Sequence, residues 1–95
     1  MLETWAPVVG RMPTDITLRE MTTRWGSCTP ATGRIRLNLQ LGLMEDRLLG
    51  YVLVHELTHL RESGHGPRFQ ALMDGWIPEW RDLRRDINRH APLIP

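Results

Sequence analysis

The sequence predicts an α+β domain. A small antiparallel β-sheet, a hairpin of about residues 15–25 and 34–41, packs on a central helix of about 46–62, followed by two further helices at about 67–74 and 78–90. Three observations predict it. Ile35, Leu37, Leu39 and Leu41 alternate with Arg34, Arg36, Asn38 and Gln40, the pattern of a strand with one buried and one polar face. Leu49, Leu53, Leu57 and Leu60 recur instead at helical spacing. Pro67 and Pro78 each head a further helical pattern, where the missing amide proton removes no hydrogen bond. Ninety-five residues without an internal repeat or low-complexity stretch make one domain, 1–95.

Taken in order, Leu2, Trp5, Ala6 and Val9 have helical spacing that Pro7 and Gly10 interrupt, giving one short helix or a frayed end. Met12-Pro13-Thr14-Asp15 reads as a turn. Ile16 and Leu18 alternate with Thr17 and Arg19, and Met21, Thr23 and Trp25 continue on the opposite parity, which predicts a strand with a bulge near Arg19-Glu20. Gly26 to Gly33 is a loop by composition, joining the two strands of the hairpin. Gly42 ends the second strand, and Glu45-Asp46 suit the positive end of a helix dipole. In the helix that follows, Leu49, Leu53, Leu57 and Leu60 face the core, with Leu48 and Val52 beside them. Gly50 costs this helix about 1 kcal/mol relative to Ala, which predicts close packing against a neighbour. Ser63-Gly64 ends it. Phe69, Leu72 and Met73 supply core positions of the next helix, which Gly75 closes. Trp80, Leu83 and Ile87 form the buried stripe of the last, and residues 91–95 read as a tail.

Composition excludes several classes. Hydrophobic content of 41% and charged content of 24% are those of a soluble globular chain. A net charge of +1, carried by twelve Arg and no Lys, gives no general attraction to nucleic acid or membrane. No apolar run reaches membrane-spanning length. Cys28 alone cannot form an internal disulfide, and the first residues lack the basic start and apolar run of a signal peptide, so a cytoplasmic location is expected.

The chemistry lies in the central helix. Val54-His55-Glu56-Leu57-Thr58-His59-Leu60 contains H-E-x-x-H, and on a helix His55 and His59 fall one turn apart on one face, where two imidazoles can grip one metal ion. Glu56 lies about 100° round the helix from His55, within reach of a metal-bound water. This is the arrangement of a zinc hydrolase. The third ligand comes from His65, flanked by Gly64 and Gly66 six residues after His59, or from a later carboxylate: Asp74, Glu79, Asp82 or Asp86. A chain this small buries only roughly 60–65% of its unfolded surface, so a Zn2+ ion would also help to hold it together.

The ordered set Arg24-Trp25-Gly26-Ser27-Cys28, Ile35-x-Leu37-Asn38, Tyr51 to Leu60 and Gly64-His65-Gly66-x-x-Phe69 resembles the YgjP-type, SprT-like zinc metallopeptidases, relatives of the WLM proteases. The resemblance covers about Ile16 to Trp80. It implies a minimal zincin-like fold, His55, His59 and His65 as zinc ligands, and Glu56 as the catalytic base. Peptide bonds of a peptide or unfolded protein would be hydrolysed by a zinc-bound water. Glu56 would take its proton and deliver it to the leaving amine.

Members of that family usually carry a substantial N-terminal region, whereas this chain begins almost at its first strand. That motivates an alternative, a zinc-stabilised binding module with little turnover. Another is a protease acting on DNA-associated proteins, suggested by some relatives and by the Arg81, Arg85 and Arg89 stripe with Arg84 nearby; Asp82 and Asp86 interleave with it, as on a solvated helix face. Trp25 reads as a core anchor and Cys28 as a packed thiol. Met73 is core filling that could lie beneath the metal. Tyr51, Arg68 and His90 are candidates to stabilise an oxyanion. One strand, 16–25 or 34–40, is expected to pair with substrate backbone.

Overall fold

Asp46 to Arg61 form helix α2 in the computed structural model, which describes residues 1–90. The tail expected at 91–95 lies outside the described residues. Rather than presenting one apolar stripe, α2 is buried at Leu48 and at every position from Gly50 to Thr58 and His59, while Leu49 and Leu60 are only half-buried. It is enclosed because the sheet and three helices pack around it, so its polar residues are interior too. At Gly50 an added Cβ would meet only Met1 Sδ, at 3.7 Å, so the close packing expected there is ordinary contact.

Helix α1 spans Leu2–Val9, with Pro7 inside it and Gly10 as a left-handed cap at φ 79°, its amide donating to Ala6 O. Arg61 at the end of α2 donates to Val9 O at 2.9 Å and ties the two helix ends together. Helix α3 runs Pro67–Trp76 and passes through Gly75, to end at Ile77. Helix α4 runs Trp80–Ile87, shorter than the expected 78–90, because Pro78 and Glu79 form the turn that leads into it. Its buried residues are Trp80, Leu83 and Ile87, as the spacing predicts.

The sheet corrects the expected hairpin. It has three strands, β1 (Asp15–Arg19), β2 (Gly26–Thr29) and β3 (Arg34–Asn38), in the order β1-β3-β2. β1 pairs with β3 in parallel, Ile16 opposite Ile35, and β2 pairs with β3 antiparallel, Cys28 opposite Ile35. The parity change near Arg19-Glu20 is therefore no bulge but the end of β1, and Glu20 to Trp25 cross over to the far side of β3. Asn38 holds that crossover: its Nδ2 donates to Met21 O and Arg24 O, each at 3.0 Å, and its Oδ1 accepts from Gln40 N.

The true hairpin is β2–β3, closed by residues 30–33. Gly33 adopts φ 75°, and a Cβ there would lie 3.0–3.3 Å from Thr14, so both conformation and space require glycine. β3 ends at Asn38 instead of continuing to Leu41, because Asn38 caps a 3₁₀ turn over Leu39–Leu43. That turn leaves Leu39 half exposed while Leu41 is buried. Leu18, on the outer strand β1, is 63% exposed, against the inward position its alternation predicts.

Candidate active site

One turn of α2 and the reversal after it bring three imidazoles to a point. His55 Nε2 and His59 Nε2 are 3.2 Å apart, His59 and His65 2.9 Å, and His65 and His55 3.3 Å. A tetrahedral ion with bonds of about 2.0–2.1 Å sets its donors about 3.3–3.4 Å apart, so the triangle matches the span of one such cation. Three Nε2 atoms facing each other cannot all be satisfied by mutual hydrogen bonds, since a neutral imidazole offers one donor and one acceptor. These three residues could hold a metal ion.

The rings are fixed from behind. His59 Nδ1 lies 3.2 Å from Glu62 O; donating there leaves Nε2 as a lone pair. Gln70 Nε2 donates to His65 O at 3.2 Å. Phe69, fully buried, touches all three rings, with centroid distances of 4.6 Å to His59, 5.0 Å to His55 and 5.1 Å to His65. His55 Nδ1 is buried without a hydrogen-bond partner among the described residues. Burial lowers the pKa of His55 to about 3, with His59, His65 and Arg84 adding to the effect, and burial first also lowers His59 and His65. All three are thus neutral, the form that binds a cation.

Glu56 is buried beside this triangle, and burial raises its pKa to about 8, although Arg24 and Arg36 pull it the other way. A carboxyl poised near neutrality can take and give a proton. It faces a cavity of about 220 Å³, lined on one side by His55, His59 and His65 and on the other by Arg24, Gly26, Ser27 and Cys28. Gly26 is what makes room: a Cβ there would lie 3.1 Å from both Cγ and Oε2 of Glu56 and 3.1 Å from Arg36 O.

The strand that lines the cavity is therefore β2, which lies between the two stretches expected to pair with substrate, and Arg24 from the first of them lines it too. It is an edge strand, paired only with β3 among the described residues. Gly26 lacks a side chain because Glu56 of α2 lies directly behind it, while Ser27 and Thr29 accept from Arg36 on β3, and this small, polar composition makes the stretch read as loop. The Thr-Pro-Ala-Thr-Gly turn ahead of the clean strand β3 is the signal that could have placed it.

The remaining candidates separate. Asp74 accepts from Trp80 Nε1 and from Arg81, Asp82 pairs with Arg85, Asp86 pairs with Arg47, and none of them or Glu79 joins the donor cluster. Cys28 lines the cavity without joining the cluster, its thiol pushed up to about 11 by burial and by Glu56. Trp25 is a fully buried anchor, and Met73 lies under α2, against the Thr58 hydroxyl at 3.4 Å. Tyr51 is buried edge-on to His55 and lines neither cavity that contains the histidines. Arg68 lines a separate groove with Arg61 and Glu62, and His90 is exposed. No described helix is long and apolar enough to cross a membrane.

A family model described as YgjP-like, metallopeptidase domain, matches residues 1–90. No curated protein matches the chain. Among solved structures, the chain is similar to the metallopeptidase zymogen abylysin of Pyrococcus abyssi, with a TM-score of 0.87 at 21% identity over 99% of this chain and 95% of that one. It is similar too to the metallopeptidase zymogen jannalysin of Methanocaldococcus jannaschii, with a TM-score of 0.78 at 20% identity over 93% and 90% of the two chains. At such identities these two report on the fold, which agrees with the α+β architecture described above.

Proposed function

From the premise that this chain belongs to the YgjP-like metallopeptidase family, we propose that it is a zinc-dependent peptidase in which His55, His59 and His65 hold the metal and Glu56 is the general base. Membership itself makes the chain a peptidase with protein or peptide substrates and a divalent metal. The observation that carries the finer reading is the triangle of Nε2 atoms, 2.9–3.3 Å on a side, with a buried carboxyl on its flank. A zinc ion, when bound, supplies Lewis acidity: it lowers the pKa of a water toward 7 and polarises the scissile carbonyl.

The chain's own residues do the rest. The outer edge of β2 offers backbone groups to an extended substrate strand, which lays the peptide along the cavity. The Glu56 carboxylate takes the proton of the attacking water. The same carboxylate then returns that proton to the leaving amine. Burial of Glu56 beneath β2 also keeps bulk water from competing for it.

The test is zinc stoichiometry together with hydrolysis of an unfolded protein by wild type and by Glu56→Gln. One zinc per chain in both, with turnover only in wild type, is expected. Equal turnover in the two would remove Glu56 from the mechanism. Strong stabilisation by zinc with no turnover in either would favour a binding module instead.

A further inference from the structure

A second cavity, of about 140 Å³, adjoins the donors between α3 and α4. It is lined by His55, His65, Phe69, Gln70, Trp80 and Arg84, and shares only His55 and His65 with the cavity that holds Glu56. It admits several water-sized groups, one of which needs on the order of 10–15 Å³. Phe69 and Trp80 give it apolar walls suited to methylene groups. Apart from the two histidines and the Trp80 indole, its polar side chains are Gln70 and Arg84, and Gln70 is already engaged, donating to His65 O and accepting from Arg81 at 3.4 Å.

Arg84 stands apart from its neighbours. Arg81 pairs with Asp74, Arg85 with Asp82 and Arg89 with Asp86, whereas Arg84 forms no ion pair among the described residues. Arg84 lines the cavity on one side and an outer groove with Arg81, Arg85 and Arg89 on the other. An uncompensated cation beside a site that must hold another cation opposes metal binding. An anion seated in the cavity offsets that cost. The helix fixes the backbone from which Arg84 projects, because Leu83 before it and Ile87 one turn later are buried.

We propose that this cavity is a substrate subsite for a carboxylate, with Arg84 as its counter-ion. It rests on the peptidase reading above and adds a substrate class to it: peptides whose acidic side chain, or whose terminal carboxylate, lies next to the scissile bond. Trp80 and Phe69 flank the methylenes, and Arg84 donates to the carboxylate oxygens.

The test uses the zinc-loaded Glu56→Gln protein, so that binding is read without turnover. It is titrated calorimetrically with end-blocked alanine pentapeptides carrying one Glu, Gln or Lys at each position in turn, and with an alanine pentapeptide whose C-terminus is free or amidated. The expected result is that at one position the Glu peptide binds about tenfold more tightly than its Gln counterpart, about 1.4 kcal/mol. That ratio collapses to about one when Arg84→Met is added, and Arg84→Glu favours the Lys peptide. A preference for the free over the amidated terminus, with none for internal Glu, assigns the carboxylate to a chain end. Equal binding throughout, no binding of any peptide, or a Glu preference that survives Arg84→Met overturns the proposal. Wild-type turnover on the same peptides separates the two readings: preference without turnover strikes the peptidase mechanism, and turnover without preference strikes the subsite.

Discussion

Replacing Gly26 by Ala should impair the reaction while leaving the metal site whole. The new methyl would sit 3.1 Å from Arg36 O and 3.1 Å from Cγ and Oε2 of Glu56, against ordinary contacts of 3.4 Å or more, so about 0.3 Å must be yielded. Arg36 O belongs to β3, held on both sides by β1 and β2, and gives little. Glu56 is the softer partner, and its carboxyl is displaced away from β2. A misplacement of about 1 Å can cost a hundredfold in rate, so a shift of a few tenths to half of that predicts a kcat lower by about three- to tenfold. Overpacking should also reduce stability by about 1–3 kcal/mol. None of the three atoms nearest the new methyl belongs to a histidine, so zinc affinity should stay within about twofold of wild type. The assay is kcat and KM on an unfolded-protein substrate, alongside a chelator competition for zinc. An unchanged kcat in a folded, zinc-loaded Gly26→Ala protein would refute the claim that β2 sets the position of Glu56. A parallel loss of zinc affinity would show that the damage is general.

Other expectations concern the metal, the crossover and pH. His65→Ala should lower zinc affinity by more than the roughly 10–100-fold typical of losing an outer partner. Because His65 is exposed, the metal-free protein should change stability by no more than about 0.5 kcal/mol; equilibrium dialysis and urea unfolding in chelator read the two. Asn38→Ala strips partners from Met21 O, Arg24 O and Gln40 N in a buried setting and should cost about 2–4 kcal/mol, seen as a lower urea midpoint at an unchanged slope; a loss under 1 kcal/mol would contradict the role given to that side chain. For the metal-free chain, burial lowers His55 to about 3 and lowers His59 and His65, so below their unfolded value of about 6.5 the unfolded state binds more protons and stability drops as pH falls. Glu56, raised to about 8, acts oppositely: it keeps a proton that the unfolded chain releases near 4.5, so stability drops as pH rises from about 4.5 to 8. Three imidazoles against one carboxyl place the optimum near pH 6.5, and a urea midpoint in chelator that climbs steadily from pH 4 to 9 would contradict it.

The chemistry is nearly all local. His55, Glu56 and His59 are fixed relative to each other by the pitch of one helix, so a short stretch of sequence determined their common face, while the fold decided that His65 rather than a later carboxylate meets the two histidines. The helical spacings around Phe69, Trp80, Leu83 and Ile87 likewise determined which residues are buried, because burial in an amphipathic helix is written in its period. What surrounds the donors is not local. Strand pairing depends on contacts between distant segments, and a parallel partner such as β1 leaves no mark at a turn, so only the tertiary structure decided the order β1-β3-β2 and the crossover pinned by Asn38. It also turned the Gly-Ser-Cys-Thr stretch from apparent loop into the strand over Glu56, since the missing side chain at Gly26 answers to α2 behind it and the hydroxyls of Ser27 and Thr29 answer to Arg36 across the sheet. And it set Arg84 by the donors without an acidic partner among the described residues: along the chain that residue is one arginine in a stripe, and only packing distinguishes it from the three whose charge is answered.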